Sequence, residues 1–329
     1  MPYRGSIDDN GVSLEKHPDK LRDGKPDGGM MGTTRLGVIG LGLMGSSMAR
    51  LNVAAGHTVK GFDVNPDRAG LIEGLSAAGS VAEAATDVDV ILLSLPNSGI
   101  GLEVTLGDGG IVSAAAPGTV VADTSTADPG HTLAMASGLG EAGIGFVDST
   151  VSGNGEMAAI GDLVVMVGGN ADDIAKALPA LEAMGRSVHT VGPVGSGARA
   201  KLIVNHALGI HRQAIAETLV ITEAAGIDMS TMLTVLQDSA AASKAMDIWG
   251  KRMIAGDHAP PAGHFSTSYR DAVLIAAEPK ELGVPVALRD AVYENFKEGM
   301  EDGLADYDNS AVIEVIRRQI GQGRIPRTH

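Results

Sequence analysis

Short apolar runs at residues 36–39, 58–62, 88–95, 120–123 and 144–147 recur along the first half of the chain, separated by alanine-rich stretches with helical spacing. Continuous apolar runs mark strands buried on both faces. Their alternation with helices predicts a parallel sheet built from strand–helix–strand units. Two further runs, 163–167 and 187–191, flank a helical pattern over 171–184 and extend the sheet to about residue 192. The pattern then changes. A glycine- and proline-rich hinge over 192–197 leads into 198–225, where breakers are few and apolar residues occupy most faces. That stretch predicts one long, buried helix. Helical patterns follow at 229–238, 243–254, 267–278, 284–302 and 309–320. The chain thus divides into a tail over 1–33, a doubly wound, mainly parallel α/β domain over 34–192 and an all-helical domain over 193–329. The tail is polar and lacks an apolar core, so it is expected to be disordered and is no secretory signal.

The first run empties into Gly40-x-Gly42-x-x-Gly45, with Leu41, Leu43 and Met44 between the glycines. The first glycine permits a tight turn out of a strand, the second lets backbone approach a pyrophosphate, and the third lets the next helix pack on the strand. The free N–H groups at that helix N-terminus favour phosphate. Asp63 closes the second run, 18 residues beyond Gly45. An acid there accepts hydrogen bonds from the adenosine ribose hydroxyls and repels a 2′-phosphate, so NAD is expected. Arg68 softens that repulsion, which makes NADP the less favoured cofactor. Leu95-Pro96 and Ser125-Thr126 end two other strands, where ligands of parallel sheets sit. Taken alone, they read better as turn chemistry.

Lys201 and Asn205, four apart on the long helix, share one face among apolar neighbours. Desolvation would lower the lysine pKa and equip it to exchange a proton with a hydroxyl or carbonyl oxygen during hydride transfer. The competing reading is a lysine that snorkels from a helix edge. Ser152 and Gly153, in the segment 148–154 after the fifth run, form either an anion-binding turn or an ordinary one. Lys244 and Trp249 share one helical pattern and read as surface charge and core packing rather than pocket wall.

Composition narrows the class. A net charge of −15 disfavours nucleic acid as a partner. With no cysteine among 329 residues, disulfides and thiolate chemistry are excluded and a cytoplasmic location is expected. No stretch is long and apolar enough for a membrane span. The histidines show no metal-ligand pairing, so no metal is expected. The apolar second domain predicts a homo-dimer or homo-tetramer.

Together these segments resemble the β-hydroxyacid dehydrogenase family, which includes 3-hydroxyisobutyrate dehydrogenase and tartronate semialdehyde reductase. The resemblance covers about residues 34–320. It rests on Met44 within the glycine fingerprint, Leu95-Pro96, Asp123-Thr124-Ser125-Thr126, the segment from Asp148 to Asn154, Met166-Val167-Gly168-Gly169, and Gly192, Gly195, Gly197, Lys201 and Asn205. It implies a Rossmann-type domain followed by a helical one, and oxidation of a small 3-hydroxy acid, an anionic substrate, with NAD. Lys201 would be the acid/base with Asn205 beside it. Ser152, Gly153 and Asn154 would hold the substrate. Gly40, Leu41, Gly42, Leu43, Met44, Gly45, Asp63, Leu95, Pro96, Thr126 and Arg270 would contact the cofactor. The chain departs from the family pattern at Thr150 (usually Pro), Asn154 and Met157 (usually Gly), and Arg270, which stands for a lysine. Two rival readings stay open. One is an imine reductase, disfavoured by Lys201 and Asp63. The other is a regulatory or scaffold protein that binds a dinucleotide without turnover, a reading left open by the altered loop.

Overall fold

A computed structural model describes residues 33–281 and 283–321. The expected tail, save its last residue, lies outside them. The apolar runs form β1 (Arg35–Ile39), β2 (Thr58–Phe62), β4 (Val90–Leu93) and β5 (Val120–Asp123), with β3 (Leu75–Ala77) between β2 and β4. Beyond them lie β6 (Gly145–Ser152), β7 (Leu163–Gly168) and β8 (Gly185–Gly192). They make one sheet in the order β3-β2-β1-β4-β5-β6-β7-β8. Every neighbouring pair is parallel except β6 and β7. The first six strands have the order of a Rossmann dinucleotide-binding sheet.

Burial explains why the inner strands read as unbroken apolar runs. All four residues of β4 and of β5 are buried. Val90 and Leu92 join Leu36 and Val38 in the core on one face, while Ile91 and Leu93 join Ile39 on the other. That is the alternation a strand imposes on a sheet covered by helices on both sides.

Three features differ from the sequence pattern. The edge strand β3 is only three residues long and largely exposed, so it carries no apolar signal. The strand β6 continues past the apolar run through Asp148, Ser149 and Thr150, all buried, where a loop was expected. Each of these polar side chains finds a partner. Asp148 Oδ1 and Oδ2 accept from the N–H groups of Gly195 (3.0 Å) and Ala198 (2.8 Å). Ser149 Oγ donates to the Asp123 carbonyl (3.3 Å), and Thr150 Oγ1 to the Gly197 carbonyl (2.8 Å). Third, the segment 243–254 is not one α-helix: a π turn, Met246–Gly250, precedes Lys251–Ala255.

The Asp148 and Thr150 bonds tie the sheet to the long helix Ser196–Ala224, which begins on the left-handed Gly195. A carboxylate at a helix N-terminus also suits the macrodipole. The helix is not buried all round. Arg212, Ile215, Ala216 and Leu219 are buried, but Ile203 is 65% and Ile221 67% exposed. Around its buried stretch the helical region builds its own core, with Trp249, Phe265, Phe296 and Ile313 at its centre.

Asp123, at the end of β5, is buried, and desolvation raises its pKa from 3.8 to about 6 against a Ser125 N–H bond, with Asp148 adding to the rise. An acid whose folded pKa is raised contributes stability below its unfolded pKa and loses it as pH climbs through the folded value. Asp123→Asn therefore gains stability relative to the parent between pH 4 and 6.5, by on the order of 3 kcal/mol. Urea unfolding of both chains across that window checks it; parallel profiles would contradict it.

Candidate active site

The glycine turn joins β1 to the helix Leu43–Ala54. Gly40 has φ +91, and a Cβ there would stand 2.2 Å from the Ser94 carbonyl. A Cβ on Gly45 would stand 1.9 Å from the Gly40 carbonyl, so the helix packs on the turn only because both positions are bare. A Cβ on Gly42 would meet nothing nearer than an Arg68 nitrogen at 3.8 Å, and no side chain caps the helix. An uncapped helix N-terminus beneath an open glycine is the cradle a pyrophosphate needs.

Asp63 follows β2 at the same edge. Its Oδ2 accepts from the Leu41 N–H (2.7 Å) and its Oδ1 from the Asn65 N–H (2.9 Å). Arg68 Nη1 lies 3.1 Å from Oδ2. Burial pulls the Asp63 pKa up, but the Asn65 and Leu41 N–H groups and the Arg68 guanidinium outweigh it and hold the carboxyl below its usual range. The side chain is thus an anion fixed by backbone. Arg68, itself largely exposed, pairs with the same carboxylate. Leu41 has its side chain in the core and spends its N–H on Asp63, so it serves the acid rather than presenting a free donor.

The other predicted residues converge on one cavity of about 500 Å³ at the carboxyl edge of the sheet, roofed by the helical region. Met44, Leu95, Pro96 and Thr126 line its sheet side. Ser152, Gly153 and Asn154, at the end of β6, line a second wall. Lys201, Asn205 and Arg270 line the roof. Gly40, Leu41, Gly42, Leu43, Gly45 and Asp63 stand outside this cavity, at the adjoining turn.

Local bonds fix each group. The Leu95 N–H donates to Ser125 Oγ at 3.0 Å. Arg270 Nη1 donates to the Pro96 carbonyl and Nη2 to Asp271 Oδ1, strapping the helix Phe265–Glu281 onto the loop after β4. Asn154 caps the short helix Gly155–Ala159 through a bond from the Met157 N–H at 3.0 Å. Met157 packs against the core and lines the cavity, so the two departures from glycine build a helical wall there. Asn205 Nδ2 donates to Asp271 Oδ2 at 2.8 Å. Desolvation lowers the Lys201 pKa; Asp271 opposes the fall and Arg270 adds to it.

Three cavity residues were missed or read differently from the sequence. Arg212, buried beneath the roof, had no motif to mark it; its only signal is that it recurs on the Lys201 face of a long helix. Lys244 is exposed and Trp249 is core, as their pattern reads, but both also line the cavity, so the preference against pocket wall is corrected. The π turn that holds Trp249 is what separates it from the regular helical spacing.

Comparison with known proteins agrees with this geometry. The pattern of the NAD-binding domain of 6-phosphogluconate dehydrogenase matches residues 35–192, and that of the NAD-binding of NADP-dependent 3-hydroxyisobutyrate dehydrogenase matches residues 195–316. The 2-(hydroxymethyl)glutarate dehydrogenase of Eubacterium barkeri is 35% identical over 292 residues, which are 87% of this chain and 96% of that protein. The chain belongs to the β-hydroxyacid dehydrogenase family. Another member, the 3-sulfolactaldehyde reductase of Escherichia coli, is 30% identical over 86% of this chain and 96% of its own. The solved structure of Mycobacterium tuberculosis 3-hydroxyisobutyrate dehydrogenase with L-serine superposes with a TM-score of 0.79 at 27% identity, covering 87% of this chain and 100% of that one. As a β-hydroxyacid dehydrogenase, the protein is an oxidoreductase that uses a nicotinamide cofactor on the hydroxyl group of small hydroxy acids. Among the described residues, no helix is long and apolar enough to cross a membrane.

Proposed function

We propose that the protein reversibly oxidises a small 3-hydroxy acid to its semialdehyde or keto acid, with NAD preferred over NADP and Lys201 as the general acid/base. The observation that carries this reading is a lysine of lowered pKa, lining the same cavity as the strand ends, with Asn205 and Asp271 beside it. Bound across the glycine turn, the cofactor supplies the hydride acceptor. The chain's part is to bind, orient and move a proton. Ser152 Oγ and the Gly153 N–H hold the substrate carboxylate. Gly153 is bare because a Cβ would press to 2.5 Å from Leu163 Cδ2. Asn205, held by Asp271, orients the substrate hydroxyl. Lys201 Nζ, as the neutral amine, accepts the hydroxyl proton while the C–H bond gives up its electron pair; in reduction the ammonium returns that proton to the carbonyl oxygen. Arg270 holds the roof against Pro96, which helps keep water from the reacting carbon.

Asp63 supports NAD over NADP, since its carboxylate meets a 2′-phosphate with like charge. The exposed apolar positions Ile203 and Ile221 on the long helix support self-association as a homo-dimer or tetramer, to be read as a light-scattering mass above that of one chain. A cytoplasmic location stays part of this proposal.

NADH formation across a panel of small hydroxy acids tests the reading. Turnover is expected with acids hydroxylated at the third carbon and is lost when the carboxylate is replaced by a methyl group. Cofactor binding without turnover of any acid would favour the scaffold reading instead.

A further inference from the structure

The register of β4 against β5 ends at Leu93 opposite Asp123. One residue on, the Thr124 N–H and hydroxyl both donate to the Leu93 carbonyl, at 2.9 and 2.6 Å. Beyond that point a side chain continues the ladder: the Leu95 N–H donates to Ser125 Oγ at 3.0 Å. Ser125 therefore pins the turn after β4 at the place where the two strand ends border the cavity.

Ser125 is itself held from behind. It is buried, and its N–H donates to Oδ1 of the buried Asp123 at 2.9 Å. Burial raises the Asp123 pKa to about 6, and the Ser125 hydroxyl and N–H pull against that rise. A hydroxyl accepts one bond and donates another at the same time. Ser125 thus joins a carboxylate fixed in the sheet to the Leu95 N–H, and each bond of such a chain polarises the next.

The lever from Leu95 to the helical region is short and stiff. Proline fixes its own φ and confines the residue before it to extended backbone. Between the held Leu95 N–H and the Pro96 carbonyl, little but the Pro96 ψ is free to turn. That carbonyl accepts from Arg270 Nη1. Arg270 Nη2 donates to Asp271 Oδ1 at 3.0 Å, and Asp271 Oδ2 accepts from Asn205 Nδ2 at 2.8 Å. The path runs unbroken from Asp123 in the sheet to Asn205, one helical turn from Lys201. Asp271 and Arg270 are also the two charged groups that act on the Lys201 amine.

We infer that Ser125 is a positioning residue for the hydride-transfer step. Through the Leu95-Pro96 turn it sets where Arg270 and Asp271 stand, and so how Asn205 meets the substrate hydroxyl beside Lys201. Its own hydroxyl is engaged by Leu95 and Asp123, so it acts through these neighbours and not on the substrate. The carboxylate site at Ser152 and Gly153 and the glycine turn lie off this path. Loss of the Ser125 hydroxyl therefore affects orientation at the reacting carbon and spares the binding of acid and cofactor. This inference rests on the Lys201 and Asn205 reading of the cavity.

The test combines a kcat-against-KM split with a double-mutant cycle on the full chain. Rates are measured with NAD and 3-hydroxyisobutyrate, or the small hydroxy acid that the parent oxidises fastest. Ser125→Ala is expected to lower kcat by roughly tenfold, the scale of a modest misplacement of reacting groups. KM for the acid and NADH affinity stay within about threefold. Ser125→Cys, close in size but a poor acceptor, shares the loss of kcat. Arg270→Met lowers kcat as well, and adding Ser125→Ala to it costs less than about threefold more, because both act along one path. Losses that multiply in the double variant would overturn the inference. So would a parent-like Ser125→Cys beside a slow Ser125→Ala, which means packing alone, or a fall in NADH affinity that matches the fall in kcat. Should Ser125→Ala fail to melt cooperatively, Ser125→Cys serves in both comparisons. Parent-like rates in both Ser125 variants sink this inference and leave the dehydrogenase reading standing, whereas a parent-like rate in Lys201→Ala sinks the reading of the cavity itself.

Discussion

Lys201→Ala lowers the rate of hydroxy-acid oxidation by roughly 10²–10⁴, the scale of a lost general acid–base group, while NADH binds within about threefold of the parent. The split between turnover and cofactor affinity is the informative part. Lys201 stands on the roof of the cavity, whereas the glycine turn and Asp63 lie across the sheet edge, outside it. Removing the amine leaves Asn205 bonded to Asp271 and the helix anchored through Asp148, so the site keeps its shape and loses only its proton acceptor. Steady-state rates with a turned-over acid, paired with NADH fluorescence titration, measure both halves. A parallel loss of affinity and rate would point to a structural role for the lysine.

Gly45→Ala has the opposite signature. A methyl group 1.9 Å from the Gly40 carbonyl meets backbone, which cannot swing aside as a side chain can. The helix Leu43–Ala54 must move off β1 and carry the cradle with it. NADH affinity is expected to fall by at least about a hundredfold, with a loss of stability of several kcal/mol from the displaced contact. Titration and thermal melting check the two effects. Parent-like binding in the variant would mean that the turn does not hold the pyrophosphate.

Much of this architecture was legible because local and tertiary signals coincide. The helix Ala171–Met184 starts where Asn170 accepts the Asp173 N–H, and Met229–Asp238 starts where Asp228 accepts the Thr231 N–H, so cap and periodicity mark the same boundary. The central strands were legible because burial on two faces leaves no room for polar residues. What was not legible depends on partners distant in sequence. Asp148, Ser149 and Thr150 look like a loop, yet form strand because the start of the long helix and the end of β5 supply their bonds. Thr150, which departs from the family's proline, is one of those ties. Arg212 looks like an ordinary helical arginine until Trp249 and Phe296 close on it. The exposure of Ile203 and Ile221 was equally hidden, since an apolar sequence does not say whether its cover comes from the same chain. In the site, the glycine fingerprint and Asp63 stand out by their spacing and by the strand and helix patterns around them, whereas spacing left Lys201 and Asn205 open and the family resemblance singled them out.

The central claim is that the Lys201 amine carries the proton while hydride leaves the substrate. Chemical rescue tests it most directly: turnover of Lys201→Ala is measured with and without ethylamine, using ethanol as a control of equal size. The account predicts that the amine restores turnover by at least about tenfold and that ethanol does not. Near-parent turnover of Lys201→Ala with no amine present would contradict it.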